Sequence, residues 1–197
     1  MTGGDKRAGA LPTITLVTTT PPAPEPDLKD WTWSITEACP DCGFDATTVQ
    51  RDEIADRTRR YAAAIAAALT GPDATRRPQP TVWSPVEYGC HVRDVCDLFA
   101  HRLQRMLTED DPLFDNWDQD VTALEQRYWA QPADKVATDL TGNAERIAVA
   151  WAAVADDQWH RPGRRSNGTR FTVDTFARYF LHDLAHHSWD VTGGRVR

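Results

Sequence analysis

No stretch of this 197-residue sequence approaches the roughly 18 consecutive apolar residues that a bilayer-spanning helix requires, so no membrane partner is expected. An apolar signal-peptide core is missing as well. Met1 to Ala10 is polar and Gly-rich, and the next apolar run is only Ile14 to Val17, which makes a cytoplasmic location the expectation. Cysteine is sparse. In a cytoplasmic protein the four residues are expected to be reduced thiols or metal ligands and not a disulfide framework. Positive charge is short too: 22 Lys and Arg against 29 Asp and Glu give a formal net charge of -7, which repels a phosphate backbone and speaks against nucleic acid as a partner. Strand signals are weak throughout, and no repeat recurs at a solenoid period.

With 41% hydrophobic and 26% charged residues the chain has the material for one globular domain, and wholesale disorder is excluded. Eight tryptophans are many for this length; some must sit in the core, and others can line a pocket. The abundance of Ala, Arg and Asp fits translation of GC-rich DNA.

Residues 1–28 carry Thr18-Thr19-Thr20 and then Pro21, Pro22, Pro24 and Pro26, a density of proline that blocks helix and removes ladder donors, so a disordered tail is expected there. Residues 29–197 form the expected domain. Four helical regions follow from apolar spacing. The first runs from about Arg51 to Leu69 and stops at Gly71-Pro72. The second has the clearest start, with Ser84 as N-cap, Pro85 at the first position and Glu87 completing a capping box, and it continues to about Leu107. The third spans about Gln119 to Val154 with a break near Gln131-Pro132. After the turn-rich, basic loop Pro162 to Gly168, the fourth starts at Thr172 and ends before Gly193-Gly194. The expected fold is all-α, a four-helix bundle with long connections.

The segment Phe180-Leu181-His182-Asp183-Leu184-Ala185-His186-His187 carries the candidate chemistry. His182 and His186 are four apart, so on a helix their imidazoles share a face and can reach one ion. His91, on the second helix with Glu87 and Asp94 placed to support it, is the best supplier of a third nitrogen. Three protein ligands leave a coordination position open, as catalytic metals require. The plainer alternative is a pair of polar residues on a solvated face. His187 points about 100° from His186 and is a candidate to face substrate. His101 and His160 have no partners at useful spacing and read as surface residues.

The run Val82-Trp83-Ser84-Pro85-Val86-Glu87-Tyr88-Gly89-Cys90-His91-Val92-Arg93-Asp94-Val95, together with His182-Asp183-Leu184-Ala185-His186-His187, resembles the DinB-like superfamily. That superfamily includes metal-dependent thiol transferases that use mycothiol or bacillithiol, and a mycothiol-dependent maleylpyruvate isomerase. The resemblance covers most of the chain from about Trp31 onward. It implies a four-helix bundle and one divalent metal held by His91, His182 and His186. The runs Cys39-Pro40-Asp41-Cys42-Gly43-Phe44-Asp45 and Asn116-Trp117-Asp118-Gln119-Asp120 are similar to an actinobacterial branch whose members are often labelled methyltransferases. No glycine-rich nucleotide loop follows a strand here, which gives that label little support.

A metal-activated thiol needs a pocket with cations or amides to anchor the cofactor. Arg93 beside the metal helix, Asp118 and His187 are the candidate catalytic residues, and Arg164, Arg165 and Asn116 the candidate cofactor-binding ones. Arg170 and Asp120 stand close by in sequence. A solvated loop is the plainer reading for each arginine, and a simple N-cap for Asp118. Cys39-x-x-Cys42 has the shape of half a zinc knuckle or of a redox pair, but no second CxxC exists. Cys90 and Cys96 do not share a helix face well, and a tight turn packed on the bundle explains Cys39 and Cys42 about as well as any function.

The expected function is that of a metal-dependent transferase or isomerase, in which the metal activates a mycothiol-like thiol for attack on an electrophilic substrate. Zinc is the first choice of metal, with nickel, iron and manganese open. The alternatives are a hydrolase using metal-bound water and a non-catalytic metal-binding stress-response protein. Either a monomer or a homodimer fits.

Overall fold

A computed structural model of the chain describes residues 20–24 and 29–196. Most of the expected tail, residues 1–28, therefore lies outside the described residues. Residues 20–24 have no regular secondary structure, and the Pro22 carbonyl accepts a hydrogen bond from Arg77 Nη1 at 2.6 Å.

Five helices account for about half of the described chain: α1 (Ile54–Ala68), α2 (Pro85–Thr108), α3 (Gln119–Glu125), α4 (Ala133–Ala152) and α5 (Val173–Thr192). α2 begins where the capping box places it. The Ser84 backbone N–H and hydroxyl both donate to Glu87 Oε2, at 2.9 and 2.7 Å, with Pro85 at the first helical position. Thr172 caps α5 by accepting from the Thr175 N–H, and α5 stops at Gly193 (φ +66°), a left-handed turn that glycine adopts without steric penalty. A 3-10 turn at Arg51–Glu53 leads into α1. The third helical region is divided. α3 ends at Glu125, Arg127 takes a left-handed φ of +51°, and a 3-10 turn at Tyr128–Ala130 precedes α4.

α1, α2, α4 and α5 form the bundle. α1 packs on α4 and α5, and α2 also packs on α4 and α5, so α1 and α2 stand mainly across from each other. Their apolar stripes meet in one core. Phe99 of α2 stacks on Phe176 of α5 with centroids 4.5 Å apart, and Trp151 of α4 lies 5.9 Å from Phe180. Each such side chain stabilises the fold by roughly 1.5–3 kcal/mol through burial alone.

The weak strand signals conceal a small sheet. β1 (Leu113–Phe114) pairs parallel with β2 (Pro162–Arg165), and β2 pairs antiparallel with β3 (Arg170–Thr172), Gly163 facing Phe171. The expected irregular loop 162–168 is thus mostly a β-hairpin. Strands this short, made of Pro, Gly and Arg, show no alternation for sequence reading to detect. Phe114 and Phe171 pack on Phe176, which fastens the sheet to the bundle core.

The stretch before α1 consists of turns. A 3-10 turn at Trp31–Ile35 packs on α5, and Cys39 to Phe44 closes a tight loop in which Gly43 N–H donates to Cys39 O and Cys39 N–H to Phe44 O. This loop and the α2 face cover different sides of α5, and that difference organises the site.

Candidate metal centre

α5 presents its titratable side chains in two stripes. A helix advances about 100° per residue, so positions 183 and 187 share one stripe and positions 182 and 186 the next. The first stripe meets α2 and the second meets the Cys39–Phe44 loop. Two clusters of possible metal ligands result, each with its ligand atoms within 4.8 Å of one another: His91, Asp183 and His187 in one, Cys39, Cys42, His182 and His186 in the other. The expected trio of His91, His182 and His186 is accordingly divided between two places. The reason is the single-residue offset between the two i, i+4 pairs.

In the first cluster, Asp183 Oδ1 lies 3.5 Å from His91 Nε2 and 3.8 Å from His187 Nε2. These separations are too long for good hydrogen bonds and close to the spacing of donors around a shared cation, about 3.0–3.4 Å. His91 is buried, and among the described residues neither of its ring nitrogens has a hydrogen-bond partner; Asp183 Oδ1 is buried without one as well. Such orphaned polar atoms are costly in a folded interior. Three converging donors of which two are unpartnered fit a divalent cation.

The ionisation states agree with that use. Burial pushes the His91 imidazole down from its ordinary value, against the opposing pull of Asp183, which favours the uncharged ring a metal needs. Burial works against the Asp183 charge, but His91 and the other nearby imidazoles outweigh it and hold the carboxyl down to about 2. His187 Nδ1 lies 2.9 Å from Asp190 Oδ2. With the proton on Nδ1, that contact turns the Nε2 lone pair toward Asp183, the arrangement by which carboxylates orient metal-binding histidines. Trp117 stacks on the His91 ring at 5.5 Å and 15°, and Trp83 lies against it at 5.5 Å. Glu87 and Asp94 do not support His91 as expected. Glu87 is engaged by Ser84 and Arg77, and Asp94 by Arg93 and Tyr128.

Two cavities adjoin this cluster. One, of about 310 Å³, is walled by Trp31, Trp83, Tyr88, Asp183, His187 and Asp190, and His182 and His186 of the second cluster border it too. The second, of about 370 Å³, shares Trp31, Gln119, Asp120, Tyr179 and Asp183 with the first and adds Arg102, Asn116, Asp118 and Arg165. Asp183 therefore faces both.

Of the candidates proposed around the metal, Asn116, Asp118 and Arg165 line the second cavity, and Asp118 is also the N-cap of α3, accepting from the N–H groups of Asp120 and Val121 at 3.0 Å. Arg165 Nη1 donates to the Tyr179 hydroxyl at 3.3 Å. His187 belongs to the ligand cluster itself. Arg93 and Arg164 are placed otherwise. Arg93 donates to Asp94, Gln131 and Gln126 at 2.7, 2.6 and 3.1 Å, which ties α2 to the α3–α4 connection, and Arg164 pairs with Asp111 at 3.1 Å. Among the described residues neither stands in the wall of either cavity. Arg170 is exposed, 3.7 Å from Asp111. His101 and His160 are exposed, as their lack of partners suggests.

Neither Asp183, a possible ligand, nor Asp190, which contacts His187, is singled out by the sequence. The signal was present: Asp183-x-x-x-His187 repeats the spacing of His182-x-x-x-His186, and Asp190 stands three residues after His187.

In the second cluster, Cys39 Sγ lies 3.6 Å from His186 Nδ1, and His182 Nε2 is buried with no hydrogen-bond partner among the described residues. Burial pushes His182 down to about 4 and the Cys42 thiol up to about 12. Cys90 and Cys96 are buried in the core instead.

A family model for the DinB superfamily matches residues 54–190. In fold the chain is similar to YfiT from Bacillus subtilis, described as a probable metal-dependent hydrolase with an unusual four-helix bundle topology; the match has a TM-score of 0.66 at 16% identity and covers 73% of this chain and 85% of that one. No protein of curated function matches significantly. A family match that runs from the start of α1 nearly to the end of α5, and so contains all three donors of the first cluster, establishes that this chain belongs to the DinB superfamily.

Proposed function

We propose that the protein is a metal-dependent enzyme whose divalent cation is held by His91, Asp183 and His187, and that it uses a low-molecular-weight thiol of the mycothiol class to attack an electrophilic carbon. The observation that carries this reading is the set of unpartnered donor atoms on His91 and Asp183, facing His187 beside a cavity of about 310 Å³. Two imidazoles and a carboxylate form a donor set used by catalytic zinc and also accepted by iron. When bound by these residues, a divalent cation would lower the pKa of a thiol or water beside it and make a nucleophile available near neutral pH.

The chain's own residues supply the rest. Asp190 fixes the His187 tautomer, and Trp83 and Trp117 hold the His91 ring and keep water from its flanks. Burial pushes the Tyr88 hydroxyl up from its ordinary value, so on the cavity wall it remains a proton-bearing donor for negative charge that develops in a reaction. The second cavity supports the thiol over water as nucleophile. Its walls carry Arg165, Arg102 and Asn116, groups suited to the carboxylate, amides and sugar hydroxyls of a polar thiol cofactor.

Hydrolysis is the second reading, favoured by the fold shared with YfiT. One experiment separates the two. Protein purified with zinc is incubated with a panel of electrophiles and with ester and amide substrates, each with and without mycothiol. Consumption of electrophile that requires the thiol, and that falls to background in His91→Ala and Asp183→Ala, supports the transferase or isomerase; turnover without thiol supports the hydrolase. Metal binding with neither activity would leave only a metal-binding protein.

A further inference from the structure

We propose that Cys39, Cys42, His182 and His186 form a second metal site, a closed Cys2His2 zinc centre that fastens the segment before α1 to helix α5. The four donor atoms lie within 4.8 Å of one another. A tetrahedral zinc with two sulfurs at about 2.3 Å and two nitrogens at about 2.0–2.1 Å sets donor separations of about 3.3–3.8 Å, so a small closing movement completes the site. One edge is already made: Cys39 Sγ to His186 Nδ1 is 3.6 Å.

Both halves have the spacing that zinc uses. Cys39-x-x-Cys42 supplies two thiols from one turn, and His182-x-x-x-His186 supplies two imidazoles from one helix face. The turn has the shape of a metal knuckle. Gly43 takes a φ of +72°, its N–H donates to Cys39 O, and the Phe44 N–H donates to Cys42 Sγ at 3.5 Å, a bond that favours the thiolate. A Cys39–Cys42 disulfide is the competing use of such a pair, and it leaves His182 Nε2 as it stands, buried and unpartnered. A cation engages all four donors.

The environment is that of a structural site. Cys39, Cys42 and His182 are buried, and the rings of Trp31, Phe44 and Trp189 surround the two imidazoles at 5.1 to 5.9 Å. Four protein donors leave no open position, which distinguishes this centre from the three-donor cluster beside it. Its role follows from the one-residue offset on α5: clamping His182 and His186 fixes the rotation of the helix that presents Asp183 and His187 to α2.

The test is cobalt substitution read by absorbance, with metal equivalents measured on the same samples. The wild-type protein is expected to bind two equivalents and to show a near-ultraviolet thiolate-to-cobalt band with tetrahedral visible bands. Cys39→Ser/Cys42→Ser is expected to bind one equivalent and lose the thiolate band, while His91→Ala also binds one but keeps it. The two sites thus fail independently. If the double cysteine variant does not fold, the wild-type spectrum and the His91→Ala variant still decide. Absence of the thiolate band in wild-type protein, an intact-mass and thiol count showing a Cys39–Cys42 disulfide after purification under reducing conditions, or two equivalents retained without both cysteines would each overturn the proposal.

Discussion

Asp183 Oδ1 lies 3.5 Å from His91 Nε2, and among the described residues neither atom has a hydrogen-bond partner. A buried imidazole and a carboxylate held this near each other, beyond the length of a good hydrogen bond, are arranged for a third party. The remaining donor, His187, is steered by Asp190 at 2.9 Å. Replacement of Asp190 by Asn keeps the shape but removes the charge that holds the His187 tautomer. The expected result is metal affinity weaker by about 10–100-fold with little change in melting temperature of the metal-free protein, measured by competition with a chelating dye.

Two arginines singled out by the sequence, Arg165 and Arg93, should behave differently. Arg165 lines the second cavity and donates to Tyr179, so Arg165→Ala is expected to raise KM for the thiol with a smaller effect on kcat. Arg93 makes three side-chain hydrogen bonds, two of which, to Gln126 and Gln131, join α2 to the α3–α4 connection. Arg93→Ala is expected to cost roughly 1–3 kcal/mol of stability in denaturant unfolding and to leave KM for the thiol unchanged.

Acid sensitivity has an identifiable source at the start of α2. Burial raises the pKa of Glu87, but Arg77 and the Ser84 N–H and hydroxyl outweigh it, so the folded-state value is below the ordinary 4.5. A depressed carboxyl pKa stabilises the fold fully above the unfolded value and loses that contribution as pH falls through the folded one. Glu87→Gln is therefore expected to lower stability by about 1–3 kcal/mol at neutral pH and to flatten the decline below pH 4.5. Urea titrations of both proteins at a series of pH values check this; parallel acid limbs would contradict it.

Much of the fold was legible in the residues, because the signals involved are local. Ser84, Pro85 and Glu87 mark a helix start by direct hydrogen bonds, and Gly193 marks an end by its left-handed backbone. The sheet was not legible, since β1 spans only two residues and its partner β2 is nearly fifty residues away, at 162–165. The ligand set was legible in part. His91 and the α5 segment stand out by spacing, but 182/186 and 183/187 carry the same spacing one residue apart, and only the packing of α5 against α2 selects between them. The same ambiguity hid the partner of Cys39-x-x-Cys42. The His182-x-x-x-His186 pair proposed to complete it is the pair that the resemblance places with His91.

Anomalous diffraction at the zinc edge, from crystals of protein purified with zinc, tests the central claim most directly. The account predicts a peak within bonding distance of His91 Nε2, His187 Nε2 and an Asp183 carboxylate oxygen. No peak at that point, or one ion shared by His91, His182 and His186, would contradict it.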